Sequence, residues 1–311
     1  MTQQRKSRSN RRKSTKISLK TFLILLLIAI VCIGIWAYLH PQEARQKADE
    51  ILVSLGFKPK DKSPVAPPSS DVNVEVPQSS GKYDNLALGI PGKADCIVER
   101  EGYALGYIEL HEQPAWVIYK LTAEEVKGKA SERGNDFRPD PLVKTGSATP
   151  KDYTRSGYDR GHLAPAADMA WSKTTMSESF YMSNMSPQKP QFNRGIWKTL
   201  EEQVRSCAVS EKEIYVVTGP ILPATKTITI GANKVTVPEK YYKVVFDMTP
   251  PQKMIGFILP NEGSNKSLKD FAVSVDAVEN ATGLDFFSLV PQPAQEQLES
   301  TISVQGWKWD N

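Results

Sequence analysis

The chain has 311 residues, of which 39 are basic and 35 are acidic, for a net charge of +4. Eight basic residues and no acidic ones lie within positions 1–20, which leaves 31 basic and 35 acidic residues, a balance of −4, for the remainder. Overall charge therefore gives no argument for a nucleic-acid partner, and only the local placement of cations can. The length allows one large domain, or two small ones, with appendages.

Residues 21–39 form an uncharged run of 19 residues, TFLILLLIAIVCIGIWAYL. As a helix rising about 1.5 Å per residue it would be about 28 Å long, enough to cross a bilayer core of about 30 Å. A cleavable signal peptide is the alternative, but its apolar region usually spans only about 7–15 residues. We therefore expect a single N-terminal transmembrane helix. Residues 1–20 would form a basic cytoplasmic tail, with the rest on the outer (periplasmic or extracellular) side.

Residues 40–82 are predicted to form a membrane-proximal segment followed by a spacer. Positions 58–81 are rich in Pro and Ser and hold too few apolar residues to build a core. One folded domain would then occupy residues 83–311. It contains two cysteines, Cys96 and Cys207, which suit either a disulfide or two separate thiols.

The domain at 83–311 is predicted to have an α+β fold, a mainly antiparallel sheet flanked by helices, because its strands cluster instead of alternating with helices. Periodicity indicates helices at 267–273 and 275–282, whereas residues 292–311 are expected to pack loosely or to be disordered. The predicted strands are 97–99, 103–109, 115–121, 213–217, 226–230, 234–237, 241–247 and 254–259.

The stretch from Tyr158 to Arg205 gathers the imidazole of His162 with other polar groups. These are the side-chain amides of Asn184, Gln188 and Asn193 and the guanidinium groups of Arg160 and Arg194. The DRGH sequence at 159–162 suits a strand end, residues 179–183 a second strand, and residues from Asn193 onward a helix. This order of strand, loop, strand and helix can hold one histidine and one metal ligand across a short gap.

These residue types suit phosphodiester cleavage. The imidazole of His162 can accept a proton at neutral pH, and a guanidinium such as that of Arg160 matches a phosphate. An amide oxygen with several waters suits Mg²⁺. Within one helix Asn193 and Glu201 would lie about 12 Å apart, so Asn193 is the candidate direct ligand and Glu201 would act through water. Each residue also has an ordinary alternative: Asn193 can be a helix cap, and the arginines can be surface charges.

In order along the chain, DRGH, LAPAADM, YMSNMSPQ and QFNRGIWKTLE resemble the DNA/RNA non-specific endonuclease family of the ββα-metal class. The resemblance covers roughly residues 83–290 and implies a ββα-metal catalytic unit. It implies that His162 is the general base that activates water, that Asn193 binds one mostly water-coordinated Mg²⁺, and that Glu201 holds the waters of that ion. It also implies phosphate-binding, charge-stabilising or positioning roles for Arg133, Arg160, Asn184 and Gln188.

The sequence thus leads to the hypothesis of a Mg²⁺-dependent endonuclease, anchored through residues 21–39, that hydrolyses DNA and RNA to 5′-phosphate and 3′-hydroxyl ends. The balance of −4 outside the basic tail departs from the basic cleft that such an enzyme would be expected to have. Two alternatives remain. One is a catalytically inactive, membrane-anchored nucleic-acid-binding protein of the same fold, and the other is a structural envelope protein.

Overall fold

The structure is a computed structural model that describes residues 83–226 and 228–309. The predicted tail at 1–20, the predicted anchor at 21–39 and the predicted spacer at 40–82 lie outside the described residues. Among the helices that the structure does describe, none has both the length and the apolar character needed to cross a membrane.

Strands in the described residues build one large sheet and two small ribbons. Apolar and β-branched residues at alternating or successive positions account for most of these strands. In chain order they are β1 (Cys96–Glu99), β2 (Ala104–Ile108), β3 (Gln113–Thr122), β4 (Asp159–His162), β5 (Met185–Gln188), β6 (Glu213–Pro220), β7 (Thr229–Ile230), β8 (Val235–Thr236), β9 (Lys240–Asp247), β10 (Lys253–Pro260) and β11 (Ala272–Val273).

The large sheet has seven strands in the order β1-β2-β3-β6-β9-β10-β11, and each neighbouring pair is antiparallel. The strands β4 and β5 form one separate antiparallel ribbon, and β7 and β8 form the other. The prediction of a mainly antiparallel α+β fold is therefore confirmed.

The two faces of the large sheet carry different helices, so the domain has three layers. Alternation along β3 places Val117 and Tyr119 in one core and Trp116 and Ile118 in the other. The helix α4 covers the first face, and α5 and α6 cover the second. The helices are α1 (Ala123–Lys127), α2 (Pro150–Tyr153), α3 (Lys173–Glu178), α4 (Trp197–Glu211), α5 (Val275–Thr282) and α6 (Gln292–Ser300).

Buried hydrogen bonds fix the β4–β5 ribbon to the large sheet. The Ser186 hydroxyl of β5 donates to Oε1 of Gln113 at 2.5 Å and lies 2.6 Å from the hydroxyl of Tyr241 on β9. The Tyr241 hydroxyl also donates to the backbone oxygen of Pro187 at 2.8 Å. Because these groups are buried, losing one partner would leave an unsatisfied polar atom, so the ribbon has a defined position relative to β3 and β9.

The second strand of the ribbon and the start of its helix differ from the prediction. The strand is Met185–Gln188 rather than 179–183, and Met182–Asn184 forms a 3₁₀ turn. A short apolar run such as 179–183 does not by itself distinguish a strand from a buried turn. The α-helix starts at Trp197 rather than at Asn193, because residues 192–196 form a wider turn with Gly195 outside the helical region.

Two further predictions toward the C-terminus were wrong. Residues 267–273 form a short 3₁₀ helix, Leu268–Phe271, followed by β11 rather than one α-helix. The stretch from 292 onward is not loose in its described part: it forms α6, and Trp307 is only 4% exposed in the core on the α4 side of the sheet. The predicted helix at 275–282 is confirmed, and it ends at Gly283 in the left-handed conformation. Within the described residues, Cys96 and Cys207 are not joined to each other by a disulfide.

An acidic cluster joins α5 and α6. Carboxylate oxygens of Asp276, Glu279 and Glu299 lie within 4.8 Å of one another. Burial raises the pKa of Glu299 to about 8 and that of Glu279 to about 7, and the neighbouring carboxylates add to both shifts. An acid with a raised pKa in the folded state is unfavourable when ionised. Ionisation of such a glutamate therefore destabilises the folded protein. This destabilisation is absent at low pH and grows as the pH rises from the usual glutamate range to about 8.

We predict that Glu299→Gln raises the melting temperature at pH 9 by about 3 °C or more, and leaves it nearly unchanged at pH 4. The amide oxygen can still accept the hydrogen bond that Gln295 donates to Oε1 of Glu299, while the buried charge is removed. Thermal unfolding at the two pH values measures the effect, with the exposed Glu296→Gln on the same helix as the control. An equal shift at pH 4 and pH 9 would contradict this electrostatic origin.

Candidate active site

The imidazole of His162, at the end of β4, is enclosed by aromatic rings. The Phe180 ring meets it edge-on at a centroid distance of 4.9 Å, and the Phe137 ring lies at 5.6 Å. The residue is 7% exposed, and its Nε2 atom is buried without a hydrogen-bond partner in the described residues. This arrangement leaves Nδ1 as the ring nitrogen that can meet a substrate.

Burial is the main cause of a lowered pKa at His162. Burial, together with the smaller contributions of the Arg133 and Arg160 charges, lowers this pKa to about 3. The sequence predicts that cationic neighbours lower the pKa of His162, but it does not predict the larger contribution of burial. The imidazole is therefore neutral at pH 7 and has a free lone pair.

Two arginines lie on the same aromatic cluster. The guanidinium carbon of Arg160 is 4.2 Å from the centroid of the Phe137 ring, and that of Arg133 is 5.5 Å from the Phe180 ring. Within the described residues neither arginine has an acidic partner at ion-pair distance. Contacts with ring faces hold both cations near His162 and leave their N–H groups available to an anion.

A cavity of about 220 Å³ adjoins this cluster and is lined by Phe137, Asp159, Arg160 and Asn193, with Tyr153, Thr154 and Tyr158. His162 is not among its lining residues, and the Phe137 ring lies against both the imidazole and the cavity. The predicted site residues Arg160 and Asn193 therefore meet at this cavity, and His162 joins them through Phe137.

Asp159 orients the amide of Asn193, a role that the sequence did not reveal. Its Oδ2 atom accepts from Nδ2 of Asn193 at 2.9 Å, and both of its oxygens accept from Arg194 at 2.8 and 2.6 Å. Burial opposes ionisation of Asp159, but these hydrogen bonds outweigh it and lower its pKa. With Nδ2 bound to a carboxylate, the Asn193 amide keeps Oδ1 for another ligand. The position of Asp159 directly before the RGH triplet is the feature of the sequence that could have indicated this role.

The other two predicted amides are fully buried, Gln188 at the end of β5 and Asn184 in the 3₁₀ turn just before β5. The Asn184 side chain donates to the backbone oxygens of Ala164 and Ser179 and accepts from the Ala164 N–H, each at 2.9 Å. It thereby fixes the segment that follows His162. The Gln188 amide has no hydrogen-bond partner in the described residues and packs where a Cβ atom at Gly161 would collide with it. These contacts support positioning rather than direct phosphate contact.

Glu201 is half-buried on α4, close to a cluster of charged groups between the helix and the sheet. Arg205 donates to Asp168 at 2.7 Å, and the Tyr119 hydroxyl donates to the same carboxylate at 2.9 Å. Burial raises the pKa of Glu201 and lowers that of the fully buried Lys243, and each charge opposes the shift of the other. Lys243 is thus the buried counter-charge of Glu201, and it has no hydrogen-bond partner in the described residues.

The donor set at the small cavity suits a hard divalent cation better than zinc, because it offers an amide oxygen and room for water but no thiolate. The acidic cluster of Asp276, Glu279 and Glu299 lies with α5 and α6, on the other face of the sheet, and contains none of the predicted site residues. The candidate site thus has a two-stranded ribbon with an imidazole, followed by a helix whose entry carries an oriented amide, which is the order that the sequence resemblance implies for a ββα-metal unit.

The sequence model of the DNA/RNA non-specific endonuclease family matches residues 82–293, more than half of the chain. The chain belongs to this family. It is therefore an enzyme of the nuclease class, a hydrolase that acts on nucleic acids.

Curated relatives cover most of the same region. The chain is 37% identical over 212 residues to the human mitochondrial endonuclease G, which covers 64% of this chain and 71% of the relative. It is 32% identical over 265 residues to the mitochondrial nuclease of Saccharomyces cerevisiae, which covers 77% and 80%. A crystal structure of a complex of EndoG with EndoGI contains a chain that is 36% identical, with a TM-score of 0.62. The match covers 67% of this chain and 92% of that one.

We predict that Asp159→Ala weakens binding of a divalent cation by about tenfold or more, because the Asn193 amide loses the group that orients it. Binding of Mn²⁺, followed by electron paramagnetic resonance without substrate, measures the change. The matched control is Asp136→Ala, an exposed aspartate whose carboxylate is bonded to Arg138 and Ser177 away from the cavity. Unchanged Mn²⁺ binding in a folded Asp159→Ala protein would contradict the role given to Asp159.

Proposed function

We propose that this protein is a Mg²⁺-dependent endonuclease that hydrolyses phosphodiester bonds of both DNA and RNA and leaves 5′-phosphate and 3′-hydroxyl ends. The observation that carries the proposal is a neutral, buried imidazole at His162, flanked by two arginines without acidic partners and adjacent to a cavity lined by an oriented amide. The similarity to nucleases from several eukaryotes supports the same class of reaction.

His162 is the general base in this proposal. A pKa of about 3 makes the imidazole a weak base in the free protein. A bound phosphate places negative charge beside Arg133 and Arg160, the two cations that lower this pKa. Substrate binding therefore raises the proton affinity of the imidazole at the moment when it must take a proton from the attacking water.

Arg160 and Arg133 bind the scissile phosphate. Their N–H groups are free of carboxylates in the described residues, unlike those of Arg194, which are bound to Asp159. A guanidinium held on a ring face needs little reorganisation when negative charge develops on the phosphate oxygens, so Arg160 also stabilises the transition state. Since phosphate contacts carry no base information, these contacts give no sequence preference.

Asn193 would hold the Mg²⁺ ion through its amide oxygen, with Glu201 holding waters on the helix side. When bound, the ion neutralises the phosphate and stabilises the departing 3′ oxygen. Asp159 keeps the Asn193 amide turned outward, and the buried Lys243 favours the ionised form of Glu201. Asn184 and Gln188 keep the ribbon in the geometry that these groups need.

We predict that His162→Ala abolishes nicking of a supercoiled plasmid in the presence of Mg²⁺, because the group that accepts the proton is gone. Agarose electrophoresis of plasmid with Mg²⁺ or with EDTA measures nicking, and thermal unfolding checks the fold. His111→Gln is the control, because His111 is the other described histidine and is bonded to Thr236 rather than placed at the cavity. Full activity in a folded, contaminant-free His162→Ala protein would reject the assignment.

The same assay separates the proposal from a catalytically inactive nucleic-acid-binding protein. Such a protein would shift a labelled oligonucleotide in a native gel yet leave the plasmid intact with Mg²⁺. Thermal stabilisation by Mg²⁺ would count against a purely structural envelope protein.

We predict that the rate of cleavage falls as NaCl rises from 50 to 200 mM, because phosphate contacts by arginine release counterions. Initial rates on one DNA and one RNA of equal length measure the slope of log rate against log salt. Similar slopes for both nucleic acids are expected, since the proposed contacts are with phosphate. A rate that does not depend on salt would contradict phosphate recognition by Arg133 and Arg160.

We also propose that residues 21–39 anchor the enzyme and that the nuclease domain faces the outer side of the membrane. The uncharged run of 19 residues and the basic flank at 1–20 support this topology. Protease added to intact cells with a permeable or absent outer layer should degrade the nuclease domain while a tag at the N-terminus stays protected. Protection of both ends would contradict the topology.

A further inference from the structure

A second, larger groove of about 770 Å³ adjoins the aromatic cluster around His162. It is bounded by the end of α1 and the loop after it, by residues that follow the β4 strand, and by one face of α4. Its apolar lining includes Val126, Ala166, Met176 and Val209. Val209 is 41% exposed, so its side chain offers apolar surface to a ligand in the groove.

Cations stand at the rim of this groove. Lys129 and Arg133 line it, and neither has an acidic partner at ion-pair distance in the described residues. Arg205 also lines it, but its charge is largely matched by Asp168 at 2.7 Å. The acidic residue of the lining is the exposed Glu132. An apolar floor with unpaired cations at the rim matches a ligand that has an apolar face and a negative charge.

The groove is continuous with the catalytic site through Arg133. This residue lines the groove and also lies over the Phe180 ring, which packs against His162. A strand whose scissile phosphate meets Arg133 and His162 must therefore place a neighbouring nucleotide at the groove. The volume falls in the range of about 300–1,000 Å³ that small-ligand sites occupy, enough for one nucleotide.

We propose that this groove is a subsite for the nucleotide next to the cleaved bond, with its unpaired base on the apolar lining and its phosphate at Lys129. A base within a duplex has both faces covered by its neighbours, so only an unpaired base can lie against Val209 and Met176. The lining contains no Asn or Gln side chain of the kind that reads the edge of adenine. This inference rests on the nuclease function proposed above and adds a preference for single strands.

The test compares a strand of 15 thymidines with a strand of equal length whose sugars carry no bases. Both strands present the same phosphates, so the ratio of their kcat/KM values isolates the contribution of the bases. We expect the wild-type protein to favour the thymidine strand by about tenfold, a factor within the range measured for one base on a protein surface. Val209→Glu should bring this ratio close to one, whereas Val209→Leu should keep it.

Lys129→Glu should raise KM for both strands by a similar factor, because it acts on the phosphates that they share. The matched controls are Leu110→Glu and Lys93→Glu. Leu110 is 54% exposed, Lys93 is exposed, and neither lines the groove. Both controls should keep the wild-type ratio and KM. If Val209→Glu does not fold, Val209→Ser replaces it, with the same expected direction.

The outcomes separate the subsite from the function on which it rests. If the wild-type protein cleaves neither strand nor a plasmid, the proposed nuclease function fails. If it cleaves both strands equally well, or if Val209→Glu keeps the tenfold ratio, the subsite is overturned and the function stands. A changed elution volume of Val209→Glu on size exclusion with an unchanged ratio would assign the face to a second copy of the chain, and would also overturn the subsite.

Discussion

The pairing of two four-residue strands, β4 and β5, is the constraint on which the site depends. Neither strand is long enough to be stable alone, and each carries polar residues that a short ribbon in water would leave solvated. The buried hydrogen bonds from Ser186 and Tyr241 fix β5 to the large sheet, and Asn184 fixes the segment after β4. These contacts with the sheet therefore hold the ribbon in place, and with it His162 at the end of β4.

Burial affects the ionisation of His162 differently from that of Glu201 and Lys243. At His162, apolar rings and two arginines both disfavour the cation, so the imidazole stays neutral and can accept a proton. Between α4 and the sheet, Glu201 and Lys243 are both disfavoured as ions, but each compensates the other. The first arrangement leaves a neutral imidazole, and the second sets a half-buried carboxylate against a fully buried ammonium group that has no hydrogen-bond partner in the described residues.

The two arginines beside His162 link the candidate site to two depressions of the surface. Arg160 belongs to the small cavity that Asn193 lines, and Arg133 belongs to the large groove that Val209 lines. Both are held by contacts with aromatic rings, so their charges remain available. A polyanionic strand that spans the two depressions would meet Arg160 in the first and both Arg133 and Lys129 in the second. This local placement explains how a domain whose sequence balance is negative can still offer a cationic path.

The sequence by itself determined the antiparallel α+β class and most strands of the sheet, and it singled out the stretch from Tyr158 to Arg205 as the candidate site. Alternating apolar residues and the linked motifs are local patterns that can be recognised in the sequence alone. Only the tertiary structure decided that β5 begins at Met185, that Asp159 orients Asn193, and that rings bury His162. These features depend on contacts between residues far apart in the chain, such as Phe137 with His162 and Lys243 with Glu201. No local pattern encodes them, because burial and hydrogen-bond partners arise only when the layers pack together.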